Sequence, residues 1–287
     1  MLGLLCNPTS GGGRGGKIKE QVISHLQSQE LDFLDLSGVN ADAAKMNLKA
    51  LDLERISNLI VIGGDGLVHL AIQKLARSAV PLLIIPAGTG NDFARSLGLN
   101  INQPLENLSL LNEMKSTGVD LGLVAGEYFA QILSTGFDSL VNERANQMRF
   151  IRGRMKYNVA IAQVLSTFKP RSYSFRVDGV HLESKAMLIA VSNGKSYGGG
   201  MMISPMSDLQ DGYLDVMILG PVSRFEFLRV FPKVYSGSHI NHPAVKFLKA
   251  KNVAISANAV AYADGERVGD LPIEVSIVEK CLRVLIP

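Results

Sequence analysis

Short apolar runs alternate with amphipathic segments along the first hundred residues of the chain. Four apolar runs are typical of strands, at 2–6, 31–36, 58–63 and 81–86, and the last two are typical of strands buried on both faces. Apolar residues recur at helical spacing between them, near 14–27, 41–50 and 67–77. This alternation predicts a parallel sheet with helices on both faces, whose ligands bind at the carboxyl ends of the strands.

The pattern changes after about residue 115, where alternation and turn signals predict a mainly β region. Hairpins are expected with turns near Gly126 and at Asp178-Gly179. Further strands are predicted at 213–219, 252–260, 271–278 and 281–286, with helices near 139–149, 155–168 and 223–235. We therefore expect an α/β domain over 1–114 and a β-sandwich or distorted barrel over 115–287. The boundary lies near Met114, and the last strand is able to return to the first domain.

The composition is that of a folded protein, because 47% of the 287 residues are hydrophobic and 19% are charged. Cys6 and Cys281 lie in apolar, strand-like runs, which indicates buried thiols in a reducing compartment rather than a disulfide framework. The N-terminal MLGLLCNP lacks the basic region of a signal peptide, and no apolar stretch reaches the ~18 residues of a membrane span. We therefore expect a soluble cytoplasmic protein.

The basic residues are unevenly distributed, although 29 Lys and Arg against 26 Asp and Glu give a net charge of only +3. Residues 144–177 hold eight basic residues and no acidic one, and residues 227–263 hold five and none. Such stretches attract nucleotide phosphates, an anionic membrane or nucleic acid, or else they form an ordinary solvated face. Nucleic acid is not expected, because aromatic residues near the first stretch are few and are not spaced for base stacking.

Three glycine-rich loops of the first domain each follow a predicted strand: GGGRGG at 11–16, GGDG at 63–66 and AGTG at 87–90. The first matches G-x-G-x-x-G, and Asp35 lies where a dinucleotide-binding domain has its ribose-binding acid, so an NAD(P)-dependent oxidoreductase is one hypothesis. However, four residues separate the strand from Gly11, whereas that fold has almost none. What remains is a loop of backbone N–H groups at a helix N-terminus, with nearby cations to attract an anion, namely Arg14, Lys17 and Lys19.

The second and third loops share one layout, in which a buried strand leads through glycines into a helix. Gly63-Gly64 lets the backbone approach a phosphate, and Asp65 beside it requires a cation or an oriented hydrogen bond, unless Asp65 only caps the helix. In the third loop Thr89 offers a hydroxyl, and Asn91 or Asp92 is the expected cap. Three anion-binding loops at one sheet edge favour a nucleotide polyphosphate.

Acidic residues of the second domain form two groups. Asp208, Asp211 and Asp215 lie in one short loop, where mutual repulsion favours a bound divalent cation, and oxygen ligands suit Mg²⁺. Asp264 and Glu266 lie in YADGERVG, within an otherwise basic region. They are either salt-bridged structural residues or they include a base held for proton abstraction, and the sequence alone leaves both alternatives open.

Five motifs, taken in order, resemble the diacylglycerol kinase catalytic-domain family: NPTSGGG (7–13), GGDG (63–66), PAGTGNDFAR (86–95), ISPMSDLQDGYLDV (203–216) and ADGE (263–266). That family includes bacterial lipid kinases and relatives of the sphingosine and ceramide kinases, and belongs to an NAD kinase-like superfamily. The resemblance implies a Rossmann-like, NAD kinase-type first domain, a β-sandwich second domain, and an ATP and Mg²⁺ site in the cleft between them. It also implies a kinase that phosphorylates the hydroxyl of a diacylglycerol-like lipid.

The resemblance further implies roles for single residues. The nucleotide-binding set is Asn7, Pro8, Thr9, Ser10, Gly11, Ser37, Gly63, Gly64, Asp65, Gly66, Leu67, Val68, His69 and Thr89. Asp65 would also help to hold a catalytic Mg²⁺. A structural Mg²⁺ would bind to the Asp211 side chain and to the backbone carbonyls of Asp208 and Tyr213. Of the two acids in ADGE, Glu266 is the expected general base and Asp264 is the alternative.

The chain departs from the family pattern after GGDG, where Leu67, His69 and Leu70 replace a usual Thr, Asn and Glu. This removes side-chain contacts to the nucleotide, so a catalytically impaired nucleotide- or lipid-binding member of the family is an alternative. A nicotinamide-nucleotide kinase is less favoured, because two motifs (NPTSG and GTGNDFAR) are lipid-kinase-like. As partners we expect a lipid substrate and an anionic membrane, contacted peripherally by the basic stretches and by an apolar surface at 148–168. An edge strand of the second domain is able to support a homodimer.

Overall fold

The computed structural model of the chain describes residues 1–113, 115–148 and 154–287. These residues form two compact units, one of Met1–Leu121 with Val278–Pro287 and one of Gly122–Ile277. The predicted boundary residue, Met114, lies outside the described residues, so its place stays a prediction. The same holds for Arg149 and Arg152 of the first basic stretch and for part of the predicted apolar surface at 148–168.

The first unit contains a parallel sheet that alternates with helices, as the hydrophobic pattern predicts. Its strands are β1 (Leu2–Cys6), β2 (Phe33–Asp35), β3 (Leu59–Gly63), β4 (Leu82–Pro86) and the start of β5 (Ser116–Val124). Its helices are α1 (Ser10–Ser28), α2 (Ala41–Ala50), α3 (Asp65–Leu75), α4 (Asp92–Ser96) and α5 (Leu110–Glu113), with 3-10 turns at Leu53–Arg55 and Pro104–Ser109. Strands β1 to β4 pair in parallel in the order β2-β1-β3-β4.

The sheet of the first unit is stable because its central strands carry only apolar residues on both faces. Every residue of β1, β3 and β4 is buried, as is typical of parallel strands covered by helices. Helix α1 packs through Ile18, Val22 and Leu26, which recur every four residues on one face. Cys6 and Cys281 are buried thiols, as predicted.

The second unit is an antiparallel β-sandwich with inserted helices. Its strands are β6 (Glu127–Phe129), β7 (Ile132–Gly136), β8 (Arg171–Val177), β9 (Val180–Ala186), β10 (Leu188–Ser192), β11 (Leu214–Leu219), β12 (Val245–Ala250), β13 (Asn252–Ser256), β14 (Val260–Ala263), β15 (Glu266–Asp270) and β16 (Ile273–Leu285). Its helices are α6 (Phe137–Gln147), α7 (Arg154–Thr167) and α8 (Arg224–Val230), with 3-10 turns at Phe231–Ser236 and Ser238–Asn241. One sheet has the order β12-β11-β10-β7-β14-β15, and the other continues as β16-β13-β8-β9.

The sandwich core comes from inward residues of both sheets, including Phe129, Tyr173, Phe175, Val191 and Val216. Strand β16 begins in this unit and ends in the first one, where Val284 lies opposite Leu82 of β4 in a parallel pair. None of the helices in the described part of the chain combines the length and the apolar composition needed to cross a bilayer.

Four predicted boundaries differ from the structure, and the first is the strand predicted at 252–260, which ends at Ser256 and is followed by β14 of the other sheet. The second arm of the hairpin predicted at Asp178-Gly179 divides into β9 and β10 of different sheets, because the Met187 N–H leaves the ladder to donate to the Leu219 carbonyl. The predicted strands at 271–278 and 281–286 form the single strand β16, whose irregular Lys280 has a left-handed φ of 48°. The helix predicted at 223–235 ends at Val230, since Pro232 favours the 3-10 turn that follows.

A glycine under a core aromatic gives a test of the sandwich packing. A Cβ at Gly122 would overlap the ring of Phe129, which is fully buried and has no free space to move into. We expect Gly122→Ala to lower the free energy of unfolding by about 1–3 kcal/mol through overpacking. Gly220→Ala is the matched control, because its Cβ would make only an ordinary 3.4 Å contact with the Ala244 carbonyl oxygen. Equal denaturation midpoints for the two variants would contradict the packing described here.

Candidate functional site

The three glycine loops, which follow β1, β3 and β4, are in contact at the carboxyl edge of the parallel sheet. A Cβ at Gly11 would overlap the carbonyl oxygen of Ala87. A Cβ at Gly88 would lie 2.5 Å from the Cα of Gly64, so neither backbone leaves room for a side chain between them. The loops therefore form one continuous patch of main chain within the first unit.

The loop after β1 exposes its backbone. Gly11, Gly12 and Gly13 have left-handed φ values of 58°, 72° and 95°, which glycine adopts without steric cost. A Cβ at Gly12 or Gly13 would meet no atom within 4 Å, so this stretch of main chain is open to an approaching group. The Asn7 Oδ1 atom holds the turn, accepting hydrogen bonds from the Thr9 N–H at 3.1 Å and the Thr9 hydroxyl at 2.8 Å.

Hydrogen bonds fix the second and third loops. Asn91 is left-handed, with φ 56°, and its amide accepts from the Gly88 N–H and donates to the Gly88 carbonyl, both at 2.9 Å. Gly64 takes the N-cap position that Asp65 was considered for, and Asp65 is instead the first residue of α3. Its Oδ1 accepts a 3.3 Å hydrogen bond from the N–H of Phe93 in α4. Asp65 therefore links the two loops, and Asn91 closes its own loop rather than capping α4 through its side chain.

The other residues predicted to bind the nucleotide differ in whether their side chains are exposed or buried. Leu67, Val68 and His69 are 8%, 3% and 7% exposed, so their side chains belong to the interior of the first unit. Thr89 is exposed, and the Ser37 hydroxyl oxygen accepts a 3.0 Å hydrogen bond from the Cys6 N–H at the end of β1. Pro8 and Ser10 shape the first loop through their main chain, with the Pro8 carbonyl accepting from the Gly16 N–H and the Ser10 N–H donating to the Asn7 carbonyl.

The acid proposed for ribose binding is already engaged. The Asp35 Oδ2 atom forms an ion pair with the Lys19 ammonium at 2.6 Å, and its Oδ1 accepts from the Ser37 N–H at 2.9 Å. Partial burial favours a higher pKa for Asp35, but the hydrogen bonds from Lys19 and Ser37 outweigh it and hold the pKa below its usual value. A dinucleotide ribose would have to displace these partners, whereas Arg14 and Lys17 remain exposed near the first loop.

The two acids of the ADGE motif differ in their surroundings. Asp264 has a left-handed φ of 50°, and its carboxylate accepts three backbone N–H groups in the second unit, those of Ala130 at 2.7 Å, Gln131 at 2.9 Å and Ile132 at 3.2 Å. Glu266 is exposed and makes no hydrogen bond or ion pair with any residue that the structure describes. Asp264 therefore shapes the turn, and Glu266 is the acid that a substrate can reach.

Protein groups engage each of the three acids in the loop at 208–215. The Asp211 carboxylate contacts the Lys249 ammonium and accepts from the Tyr213 N–H at 3.0 Å. Asp208 accepts from the Gln210 N–H at 3.0 Å, and the buried Asp215 accepts from the Ser207 hydroxyl at 2.8 Å. Residues 1–113, 115–148 and 154–287 contain no cluster of three or more His, Cys, Asp or Glu side chains suited to a metal ion. The Lys249 ammonium contacts the Asp211 carboxylate, and the Mg²⁺ site predicted at the Asp211 side chain and the backbone carbonyls of Asp208 and Tyr213 stays a prediction.

Sequence reasoning missed a cavity of about 540 Å³ in the second unit. Its apolar wall includes Leu140, Val164 and Phe168, and its basic rim consists of Arg144, Lys169 and Arg171. Among the described residues no carboxylate forms an ion pair with these three cations. The basic stretch at 144–177 indicated the cations of the rim, but the sequence pattern alone could not show that α6 and the end of α7 line an open cavity.

The cavity lies next to the ADGE turn. Glu143 lines it and forms a 3.6 Å ion pair with Arg267, the residue that follows Glu266. A second missed acid, Asp138, is buried at the start of α6, and burial raises its pKa although its oxygens accept hydrogen bonds from Ser139 and Tyr197. In the sequence Asp138 is typical of an ordinary acidic residue in a first helical turn.

Comparisons with known proteins agree with this architecture. Residues 1–124 match the family model of the diacylglycerol kinase catalytic domain, and residues 131–286 match that of the YegS C-terminal NAD kinase beta sandwich-like domain. The chain is 37% identical over 290 residues to a diacylglycerol kinase of Mycobacterium tuberculosis, covering 99% of this chain and 94% of that protein. It is 28% identical over 289 residues to a diacylglycerol kinase of Bacillus subtilis, covering 99% and 95%.

A solved structure has the same fold. The crystal structure of a diacylglycerol kinase from Bacillus anthracis aligns over 100% of this chain and 96% of that chain, with a TM-score of 0.79 and 23% identity. The family models and the relative from Mycobacterium tuberculosis confirm the predicted family resemblance. The structural match, together with the family models, confirms the predicted fold class, an α/β domain followed by a β-sandwich domain.

The different surroundings of the two ADGE acids predict different effects on stability. We expect Asp264→Asn to lower the free energy of unfolding by about 2–3 kcal/mol. In the wild type, backbone N–H groups donate to both carboxylate oxygens, whereas in the variant the amide NH₂ group replaces one of these oxygens and cannot accept a hydrogen bond. Glu266→Gln is the matched change at an exposed acid, and we expect an effect within about 0.5 kcal/mol. Chemical denaturation of both variants measures this difference. A fully stable Asp264→Asn variant would contradict the role given to Asp264.

Proposed function

We propose, since the chain belongs to the diacylglycerol kinase family, that it is an ATP- and Mg²⁺-dependent lipid kinase acting on the hydroxyl of a diacylglycerol-like lipid. Membership of this family makes it a phosphotransferase with an alcohol group as acceptor. The observation that carries the finer proposal is the contact among three glycine loops at one edge of the sheet, which brings the main chain of three different turns together.

The open main chain of these loops fits a triphosphate. No atom lies within 4 Å of a Cβ built at Gly12, Gly13 or Gly66, so phosphate oxygens are able to approach the backbone there. Gly66 lies in the first turn of α3, an eleven-residue helix whose positive N-terminal dipole favours negative charge. The exposed Thr89 hydroxyl and the exposed Arg14 and Lys17 add further groups suited to phosphate. Because Leu67, Val68 and His69 are buried, their contribution would come from the main chain.

A catalytic Mg²⁺, when bound with the help of Asp65, would neutralise phosphate charge. Asp65 fits this role because one of its oxygens is fixed by the Phe93 N–H, which leaves the carboxylate oriented at the edge of the second loop. The Asp211 side chain with the backbone carbonyls of Asp208 and Tyr213 stays the proposed structural Mg²⁺ site, where the ion would compete with the Lys249 ammonium for the Asp211 carboxylate.

Glu266 is the proposed general base. Its exposed carboxylate accepts the proton of the lipid hydroxyl, the hydroxyl oxygen forms a bond to the γ-phosphorus in line, and the bond from that phosphorus to the β–γ bridging oxygen breaks to release ADP. Asp264 acts as a positioning residue, since its three backbone hydrogen bonds hold the turn that carries Glu266. Phosphoryl transfer depends mainly on such positioning and on charge neutralisation.

The cavity beside the ADGE turn is the proposed acceptor pocket. Its volume of about 540 Å³ falls in the range of small-molecule sites, and its apolar wall fits part of an acyl chain. The cations of its rim, Arg144, Lys169 and Arg171, favour the phosphate of the product over the neutral hydroxyl of the acceptor. The identity of the lipid stays open among primary alcohols of this kind.

Two other functions are alternatives to an active lipid kinase. A catalytically impaired family member would bind ATP without forming product, and the replacements Leu67, His69 and Leu70 motivate that hypothesis. An NAD(P)-dependent oxidoreductase is disfavoured, because Asp35 is held by Lys19 and because the matched families are kinases. A homodimer formed through an edge strand of the second unit stays a prediction.

An ATP-consumption assay with Mg²⁺ and dispersed diacylglycerol tests the proposed function. We expect phosphatidate to form, and we expect Glu266→Gln to lower kcat by ~10²-fold or more, because a general base is lost without a change in fold. Glu274→Gln is the matched control, since Glu274 is another exposed acid of the second unit. Its rate should equal that of the wild type.

Other outcomes of this assay overturn the proposal. Calorimetric ATP binding without product on any lipid alcohol of a panel would favour the impaired alternative. Product formation at the wild-type rate by Glu266→Gln would instead exclude Glu266 as the base while leaving the kinase assignment intact.

A further inference from the structure

Helix α8 and the turn after it carry an apolar face that points to solvent. Phe225 is 79% exposed, Leu228 57% and Tyr235 56%, and Pro232 between them is also exposed. The spacing of these four residues, three, four and three positions apart, places them on one side of a helical segment. We call this set the outer face of α8.

The outer face of α8 is not required for packing of the unit. Phe227, Phe231 and Val234 point inward from the same segment and supply its core contacts. The outward side of such a surface segment ordinarily carries polar residues, and a continuous apolar patch on it marks an interaction surface. The segment is therefore apolar on both sides, although only one side is needed for folding.

Cations surround the outer face of α8. Arg224, Arg229 and Lys233 are exposed, and no carboxylate in the described part of the chain forms an ion pair with them. Glu226, the one acid between residues 221 and 244, is engaged by His242 at 3.1 Å and by the backbone N–H of Ser223. The patch thus combines protruding apolar side chains with an uncompensated positive charge.

The segment is held rigidly. Ser223 and Glu226 form a reciprocal capping box at the start of α8. The Phe227 ring lies 4.7 Å from that of Phe137 and 5.6 Å from that of Phe231, between ring centroids, which anchors the segment on the sandwich. The outer face is therefore preformed and would lose little conformational freedom when it binds.

We propose that the outer face of α8 docks this protein on an anionic phospholipid bilayer. Phe225, Leu228 and Tyr235 would enter the region between headgroups and acyl chains, while Arg224, Arg229 and Lys233 contact lipid phosphates. Apolar and aromatic side chains flanked by Arg and Lys are the combination that binds peripherally to membranes, and the charge selects anionic lipids. This inference rests on the proposed function, because a kinase of a bilayer-resident alcohol must reach the membrane surface.

Vesicle co-sedimentation tests the docking surface directly. We expect the wild type to bind vesicles of phosphatidylglycerol and phosphatidylcholine in equal parts and to bind pure phosphatidylcholine at least about tenfold less. Phe225→Ser with Leu228→Ser should weaken binding to the mixed vesicles by about tenfold or more. Val39→Ser with Met46→Ser is the matched control, because these residues are 96% and 72% exposed but lie in the first unit. Its binding should equal that of the wild type.

The charged rim gives a second arm of the test. Arg229→Gln with Lys233→Gln should weaken binding to the anionic vesicles several-fold, and the loss should shrink as salt rises. Equal binding of both lipids by the wild type, or unchanged binding by Phe225→Ser with Leu228→Ser, would overturn the proposal. The proposal would also be overturned if the wild type is a dimer in solution and Phe225→Ser with Leu228→Ser is a monomer. That result would show that a second copy of the chain covers this face.

Kinetics separate this inference from the proposed function. With a short-chain, monomerically dispersed diacylglycerol, Phe225→Ser with Leu228→Ser should turn over at the wild-type rate, whereas on diacylglycerol in anionic vesicles its rate should fall by about tenfold. Absence of turnover by the wild type on both substrates would contradict the kinase assignment but not vesicle binding. Equal rates of variant and wild type on vesicles would contradict the docking surface but not the kinase assignment.

Discussion

The close approach of three main-chain loops is the constraint on which the candidate nucleotide site depends. Gly64 and Gly88 lie against each other, and Gly11 lies against the carbonyl of Ala87, so a side chain at Gly11 or Gly88 would force the loops apart. The buried strands before these loops supply the support, because every residue of β1, β3 and β4 is buried. Asp65 and Asn91 then hold the loops by hydrogen bonds that involve the backbone. The patch is therefore a preformed feature of the first unit.

In the second unit, neighbouring acids receive different roles from their surroundings. Asp264 accepts three backbone N–H groups and Glu266 is exposed, although only Gly265 separates them in the chain. The same division holds in the acidic loop, where Lys249 balances Asp211 and the Ser207 hydroxyl binds the buried Asp215. Residue type indicated that these acids matter, and only tertiary contacts indicate which of them can take part in chemistry.

Local pattern predicted the elements whose signals are local. The apolar runs predicted β1, β3 and β4, and the helical spacing at 41–50 predicted α2. These predictions succeed because the spacing of hydrophobic residues depends on whether one or both faces of an element are buried. Contacts between distant segments were not predictable. Lys249 meets Asp211 across 38 positions of sequence, and the run at 180–192 divides between two sheets through a hydrogen bond to Leu219. The outer face of α8 was equally hidden, because Phe225 and Phe227 give the same signal although one is exposed and the other buried.

Hydrogen–deuterium exchange with and without ATP is the most direct measurement of the central claim. If the three loops form one polyphosphate site, saturating ATP should slow exchange of backbone N–H groups in 9–16, 64–68 and 88–93 together. Helix α2 should exchange at the same rate with and without ATP, since it does not belong to the patch. ATP that binds but protects only one of the three loops, or none, would contradict the account.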